Sequence, residues 1–167
     1  MSCLGVHFAL TAAEVAKLKS FEDDSDRLDY LQSEIEDYYF GSAKDYLAQS
    51  DKAWDAMHRS LADGQLTYDT GPYPLRLAVI GGEPIYAEDD YIMSLKTPEQ
   101  VRDIAKALIP VTRDVLRRGY DGIDQKAYGF PKSDQDFEYT WEWFQAVQAL
   151  YTKAATEGRW VLFSADQ

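Results

Sequence analysis

Residues 51–85 read DKAWDAMHRSLADGQLTYDTGPYPLRLAVIGGEPI and combine a helix signal, a loop and a short apolar run. The first part predicts an amphipathic helix, because its large apolar side chains recur at helical spacing. The shared face carries Trp54, Met57, His58 and Leu61. We expect Ser50 to cap this helix, since a serine hydroxyl can accept a hydrogen bond from an amide of the first turn.

The second half of this stretch is an apolar segment that fits a short helix or a strand. A loop rich in glycine and proline leads to the apolar residues 75–80, which a glycine turn at 81–84 ends. Pro74 suits the first position of a helix, so a short helix is favoured. A strand is also allowed, because the run is too short for its periodicity to decide.

The flanking sequence predicts three strands and several more helices. Residues 2–10 alternate between two faces, residues 91–96 form a second strand, and the apolar run 160–163 suits a central strand. Thr11 begins a capping box with Glu14, and Thr97 precedes a proline at the first position of another helix. Ser25 can cap a further helix, residues 113–118 form one that Gly119 closes, and the longest spans 134–157.

These elements predict an α+β fold with a small mixed or antiparallel sheet and about six helices packed mainly on one face. A length of 167 residues with 46% apolar content fits one domain over residues 1–167. Cys3 is the only cysteine, so the chain cannot form an internal disulfide. The sequence has neither a signal-peptide pattern nor an apolar run of the ~18 residues that a membrane span needs. A cytoplasmic protein is expected.

The charge of the chain is strongly negative and unevenly distributed. The net charge is −12, and the first hundred residues alone, with 8 Lys and Arg against 19 Asp and Glu, carry −11. Binding to phosphate groups needs a basic stripe, so neither nucleic acid nor an anionic membrane is an expected partner. A basic protein would be attracted, although the charge can also serve solubility alone. The oligomeric state cannot be inferred.

Tyrosines lie among the acids in two segments that are candidate contacts for such a partner. The first segment supplies Glu36, Asp37 and Tyr39, and the second supplies Glu88, Asp89, Asp90 and Tyr91. Trp143 falls off the apolar face of the longest predicted helix, which makes it a candidate exposed contact.

One group of residues can be read as a site for chemistry. Asp55 and His58 share a helix face, and a neighbouring carboxylate raises the pKa of an imidazole as a general base requires. With Trp54 and Glu83 they are a candidate pocket. The favoured alternative is a buried imidazole bonded to a backbone carbonyl, because His58 shares its face with Leu61. The chain has two histidines and no complete ligand or cofactor motif, so neither a metal nor a cofactor is expected.

Five blocks, taken in order, resemble the YfbM-like family, a bacterial domain of unknown function. The blocks are MSCLGVHFALTAAEV, DKAWDAMHRSLADG, PLRLAVIGGEPI, YIMSLKTPEQVRDIAKAL and FQAVQALYTKAATEGRWVLF. The resemblance covers nearly the whole chain and implies one α+β domain in a cytoplasmic bacterial protein. The family has no established activity, so the resemblance assigns no catalytic residue.

Two hypotheses of different classes follow. The first is a non-catalytic acidic module that binds a basic protein, as an immunity-type inhibitor of a bacterial toxin does. The second is a small enzyme or ligand-binding protein that uses the pocket around Trp54, His58 and Glu83. Convergence of Asp55, His58 and Glu83 in an open cleft would favour the second hypothesis, and a buried His58 with one backbone partner would remove its basis.

Overall fold

The computed structural model describes residues 3–167 and confirms the predicted α+β class. In this range the strands form one antiparallel sheet of five, in the order β2-β1-β5-β4-β3. The strands are β1 (Gly5–Leu10), β2 (Leu47–Asp51), β3 (Glu83–Pro84), β4 (Tyr91–Lys96) and β5 (Trp160–Asp166). Residue 2, where the first strand was predicted to begin, lies outside the described residues.

The helices occupy most of the remaining chain. They are α1 (Ala12–Ser20), α2 (Asp24–Tyr30), α3 (Asp37–Ser42), α4 (Trp54–Leu61), α5 (Pro98–Leu108), α6 (Arg113–Asp121), α7 (Gln125–Tyr128) and α8 (Asp134–Thr156). The π-helical segment Leu31–Glu36 joins α2 and α3 without a break, so residues 24–42 form one rod. Within residues 3–167, none of the helices combines the length and the apolar character that a membrane span requires.

Both faces of the sheet are covered. One face packs against α4, α5, α6 and α8, which form the larger core. The other face packs against α1 and the rod of residues 24–42. All six residues of β1 are buried for this reason, although its alternation places Val6, Phe8 and Leu10 on one side and His7 and Ala9 on the other.

The two predicted helix starts at threonine are confirmed. The Thr11 hydroxyl accepts from the amide of Glu14, whose carboxylate accepts from the amide of Thr11. Thr97 and Gln100 make the same reciprocal pair at the start of α5. Each pair satisfies two backbone amides that would otherwise lack a partner at the end of a helix.

Ser50 does not cap the helix that was predicted to follow it. It lies in β2, which the sequence did not reveal, and its buried hydroxyl has no hydrogen-bond partner. The helix begins later, after Ala53, without a side-chain cap. A Cβ on Gly5 would lie 2.6 Å from the Ser50 hydroxyl, so the crowded contact between β1 and β2 requires glycine there.

Residues 75–80 form neither of the two predicted elements. A single 3₁₀ turn, Leu75–Leu77, is followed by turns that lie buried against the sheet. The carbonyl of Ala78 accepts from the His7 ring and from the Tyr151 hydroxyl, at 2.9 and 2.7 Å. The carbonyl of Val79 accepts from Lys96 Nζ. These side chains replace the partners that a regular element would have supplied.

Lys96 is an unusual member of this group. Its side chain is fully buried, and Nζ donates to the carbonyls of Val79 and Ser94 and to the Ser94 hydroxyl. Burial holds the pKa of the Lys96 ammonium well below its ordinary value, because charge is costly away from water. Its hydrogen bonds therefore serve to hold Val79 against β4.

Gly119 does not close α6, as the sequence indicated, but lies inside it. A Cβ at this position would be 2.0 Å from the backbone carbonyl oxygen of Ser60, so glycine allows α6 to approach α4. The residue serves helix packing rather than helix termination.

We expect Gly119→Ala to lower the free energy of unfolding by about 3 kcal/mol, since two helices must separate to admit the methyl group. Gly41→Ala in α3 is the matched control, because a Cβ there meets no atom within 4 Å. The control should change stability by about 1 kcal/mol at most, in the stabilising direction. Urea unfolding of both variants measures the difference, and equal stabilities would contradict the close contact.

Candidate functional site

The pocket predicted around Trp54, Asp55, His58 and Glu83 does not form. Trp54 is buried at the start of α4, where its indole nitrogen donates to the carbonyl of Cys3 at 2.9 Å. Glu83 pairs in register with Leu95, whose side chain lies in the core beneath α1. Since paired residues point to the same side of a sheet, Glu83 and Trp54 lie on opposite faces. The Glu83 carboxylate contacts Lys19 at 2.7 Å instead.

His58 is a core residue with one backbone partner. Its side chain has no exposed surface, and Nε2 donates to the carbonyl of Thr67 at 2.9 Å. Nδ1 has no hydrogen-bond partner. Burial lowers the pKa of His58 to about 4. A buried His58 with one backbone partner removes the basis on which the sequence suggested a pocket for chemistry at this residue.

Asp55 is held by an ion pair rather than by the imidazole. Its carboxylate accepts from Arg59 Nε at 2.6 Å, one helical turn later. Arg59 also donates to the carbonyls of Gly64 and Ala127, so it connects α4 to the loop after it and to α7. Burial raises the pKa of Asp55 despite the arginine. The role of this pair is to join three segments of the chain.

The two acidic segments singled out in the sequence do meet in space. The amide of Ala87 donates to the Asp24 carboxylate at 2.8 Å, and the Tyr91 hydroxyl donates to Glu36 at 3.2 Å. The rod of residues 24–42, the two residues before it and the loop before β4 therefore form one surface, which we call the acidic face. Its exposed carboxylates are Glu22, Asp23, Asp26, Asp29, Glu34, Asp37, Glu88, Asp89 and Asp90.

Little positive charge offsets these carboxylates. Arg27 is the only cation of residues 20–43, and residues 83–90 contain none. The Arg27 guanidinium is largely buried. It donates hydrogen bonds to the Asp24 carboxylate and to the carbonyls of Leu18, Phe21 and Ile85. Arg27 therefore connects α1, α2 and the loop, and the field outside the acidic face remains negative.

A cleft opens between the rod and the sheet at the border of the acidic face. Its volume is about 240 Å³. The sheet supplies Leu4, Val6, Gln49, Tyr91, Ser164 and Asp166, and the rod supplies Gln32, Glu36 and Phe40. Register explains the convergence of the sheet residues, because Val6 pairs with Gln49 and with Ser164, and Tyr91 pairs with Asp166.

Two carboxylates determine the electrostatics of this cleft. Burial raises the pKa of Glu36, the hydrogen bond from Tyr91 opposes that rise, and the nearby Asp166 adds to it. Burial and the Glu36 carboxylate raise the pKa of Tyr91 in turn. Glu36 also ends the π-helical segment, a backbone irregularity that is frequent at functional sites. The two carboxylates therefore influence each other across the cleft, and Asp166 also accepts a hydrogen bond from the amide of Leu4 at 2.8 Å.

The predicted partner contacts differ in their exposure. Asp37, Glu88, Asp89 and Asp90 are exposed, whereas Glu36 and Tyr91 are half-buried in the cleft. Trp143 is half-buried against the larger core.

Tyr39 was wrongly assigned to the surface. Its side chain is 1% exposed, and its hydroxyl donates to the Glu14 carboxylate and the Ala9 carbonyl. It follows Ile35 by one helical turn, and this spacing places both on the core side of the rod.

Several residues of the cleft were missed in the sequence. Asp166, Gln49 and Gln32 come from distant parts of the chain, and their approach depends on strand pairing. In the sequence, the only indication of the position of Asp166 was the alternation of side chains between the two faces of β5. Within residues 3–167, no group of three or more His, Cys, Asp and Glu side chains is arranged to hold a metal ion.

The buried histidines predict a loss of stability in acid. Burial lowers the pKa of His7 to about 3, as it lowers that of His58 to about 4. Both values lie below the ordinary 6.5, so the unfolded chain binds more protons between about pH 4 and pH 6.5. Each imidazole should then lower the free energy of unfolding by about 1.4 kcal/mol for every pH unit below 6.5.

His58→Gln retains a donor for the Thr67 carbonyl and removes one titrating group. Between pH 4.5 and 6, the slope of unfolding free energy against pH should be smaller by about 1.4 kcal/mol per unit in this variant. Urea unfolding at a series of pH values gives both slopes. The slopes should agree above pH 7, and the same slope in acid for both proteins would contradict a neutral buried His58.

Comparison with known proteins shows the family to which this chain belongs. The model of a domain of unknown function, DUF1877, matches residues 1–164. A search of curated proteins found no match. The crystal structure of YfbM from Escherichia coli, a protein of unknown function, is similar at a TM-score of 0.63 and 20% identity, over 97% of this chain and 99% of that one. At this identity the likeness shows the fold alone. The chain belongs to the DUF1877 family, which confirms the YfbM-like resemblance.

Proposed function

We propose that this protein is a non-catalytic binding module that captures a basic protein on its acidic face, in the manner of an immunity-type inhibitor. The observation that carries the proposal is the cleft at the border of that face. Glu36 and Asp166 line it together, and a lysine or arginine side chain of the partner adds a positive charge beside the half-buried Glu36 carboxylate.

The distribution of charge supports the association step. A chain with a net charge of −12 attracts a basic partner over a distance of about one Debye length, ~8 Å at physiological ionic strength. Nine of the 19 acids of the first hundred residues are exposed carboxylates of the acidic face. Attraction of this kind raises the association rate more than it raises the final affinity.

The cleft supplies the specific contact. A cation that enters it forms charge-assisted hydrogen bonds with carboxylates that are already partly desolvated. The amides of Gln32 and Gln49 and the hydroxyl of Ser164 add neutral hydrogen-bonding groups to its wall. A guanidinium has five donors and can use several of these groups at once, so arginine is the preferred side chain.

The competing hypothesis of a pocket around Trp54, His58 and Glu83 has lost its geometric support. Trp54 and His58 are buried in the core of one sheet face, and Glu83 lies on the other. No observation among the described residues brings these three side chains to one solvent-accessible cavity.

Affinity capture with matched charge variants tests the proposal. The first variant, Glu34→Gln/Asp37→Asn/Asp89→Asn, neutralises three exposed carboxylates of the acidic face. The control, Asp69→Asn/Asp114→Asn/Glu142→Gln, neutralises three exposed carboxylates elsewhere and leaves the same net charge. The wild-type protein should retain a basic protein from a lysate of its source cells at low salt and release it at about 0.5 M salt.

With the retained partner purified, the first variant should bind about tenfold more weakly, and the control should bind nearly as the wild type does. This estimate takes about 0.5 kcal/mol for each exposed charge contact. Glu36→Gln should weaken binding further without a change in fold. A captured partner that is not basic, or equal losses in both triple variants, would overturn the proposal.

A further inference from the structure

Lys96 is a lysine without access to solvent. Its side chain has no exposed surface. It lies on the side of the sheet that faces the larger core, because Lys96 pairs with Val161 of β5, whose side chain belongs to that core. Within residues 3–167, no ion pair includes Lys96. A lysine in such a position must either carry an uncompensated charge or remain an uncharged amine.

Three oxygen atoms surround the Lys96 nitrogen Nζ. They are the carbonyl oxygen of Val79, the carbonyl oxygen of Ser94 at 3.1 Å and the hydroxyl oxygen of Ser94 at 2.7 Å. An ammonium has three N–H donors and can donate to all three oxygens. An amine has two N–H donors and one lone pair, so one of the three contacts must then be reversed.

The Ser94 hydroxyl can serve either form. Its oxygen lies 2.7 Å from Nζ and 3.3 Å from the carbonyl oxygen of Val79. Beside an ammonium, the hydroxyl accepts from Nζ and donates to Val79. Beside an amine, the hydroxyl donates to the Nζ lone pair, and the two N–H groups donate to the two carbonyls. Both forms are therefore fully hydrogen-bonded, and the direction of one hydrogen bond distinguishes them.

No negative charge compensates an ammonium at this position. The titratable side chains that face this part of the core are His7 of β1, His58 of α4 and Tyr151 of α8. Both imidazoles remain uncharged, and burial raises the pKa of the Tyr151 hydroxyl well above its ordinary value. The Phe163 ring, 5.7 Å from Nζ, attracts a cation only weakly compared with the cost of removing a charge from water. The surroundings therefore favour the amine.

The remaining elements around Lys96 also lack a charged partner for it. The side chains that α5 buries are all apolar. A Cβ on Gly82 would lie 3.6 Å from Cδ of Lys96, so this turn contacts the aliphatic part of the lysine. Glu83, the next residue, pairs with Leu95, and its carboxylate contacts Lys19 on the other face of the sheet.

Residues 77–80 cover Lys96 without a regular backbone ladder. All four are buried, and the carbonyls of Ala78 and Val79 accept from side chains of the sheet and of α8. Gly82, with a φ of +111°, ends this segment before the pairing of β3 with β4 begins. Water can therefore solvate a charged Nζ only when the covering segment moves away from the sheet.

We infer that Lys96 is an internal proton switch: in the folded protein Nζ is an uncharged amine that accepts from the Ser94 hydroxyl, and a proton bound to Nζ loosens the covering segment of residues 77–80. This switch is independent of the proposed function, because the cleft of Glu36 lies on the opposite side of the sheet.

The switch predicts a stability that rises with pH. The folded amine binds no proton, whereas the lysine of the unfolded chain binds one below its ordinary pKa of 10.5. Unfolding therefore takes up a proton, and the unfolding equilibrium constant should fall about tenfold for each unit from about pH 8 to pH 9.5. This range ends before tyrosines of the unfolded chain begin to lose their protons at about pH 10.

Two lysine variants test the origin of this slope. Lys96→Met removes the proton site and retains an unbranched side chain, so its unfolding equilibrium constant should change less than about twofold over the same range. Lys126→Met makes the same substitution at an exposed position of α7 and should retain the slope of the wild type. Urea unfolding of the three proteins at four pH values gives the slopes, and equal slopes in all three would overturn the inference.

Two measurements on the wild-type protein need no variant to fold. Nitrogen nuclear magnetic resonance should detect the Lys96 side chain as an uncharged amine at about pH 8, and an ammonium signal there would overturn the inference. Hydrogen exchange, corrected for the intrinsic rate, should show more frequent opening of residues 75–82 at pH 8 than at pH 9.5. Equal opening at both values, or the same change in α1 on the other side of the sheet, would overturn the link between Lys96 and its cover.

Discussion

Burial of both faces of the central sheet is the physical constraint on which the other features depend. β1 and β5 come from opposite ends of the chain and pair over six residues at the centre of the sheet. Their side chains are apolar on both sides, so two separate groups of helices must cover them. With both faces covered, β2 presents the longer of the two outer strands of the sheet.

The same constraint explains the buried polar groups of the larger core. Residues 75–80 cover part of the sheet without regular structure, and their carbonyls must find donors inside the protein. Lys96, His7 and Tyr151 supply those donors from strands and from α8. A buried lysine and a buried histidine can indicate catalysis, but here their hydrogen bonds go to backbone carbonyls and to the Ser94 hydroxyl. Their role is to fix one arrangement of the chain.

Local patterns in the sequence predicted much of the fold. Alternation in β1 and the threonine caps of α1 and α5 depend on neighbouring residues, and these predictions were confirmed. Contacts between distant segments were not predictable in this way. Gly119 looked like a helix end because the carbonyl of Ser60 that excludes a side chain there lies 59 positions earlier. β2 is short and half polar, so its sequence, LAQSD, resembles a loop.

For the candidate site too, local sequence predicted some features, whereas contacts between distant segments were not predicted. The sequence predicted partner contacts at Glu36, at Tyr91 and at the acids of residues 88–90, and hydrogen bonds bring these two segments together. The pocket around Trp54 and His58 failed because strand register directs Glu83 to the other face of the sheet. Asp166 joined the site through pairing of β4 with β5, which no short-range pattern reveals.

Chemical-shift mapping with a defined cation tests the central claim most directly. Titration of the protein with a hexa-arginine peptide should produce its largest shifts at residues that line the cleft, including Glu36, Tyr91 and Asp166. The shifts should decline as salt is added, because charge attraction drives the encounter. Shifts spread evenly over the surface acids, or concentrated near Asp69 and Glu142 with the cleft unchanged, would contradict a cation site at Glu36 and Asp166.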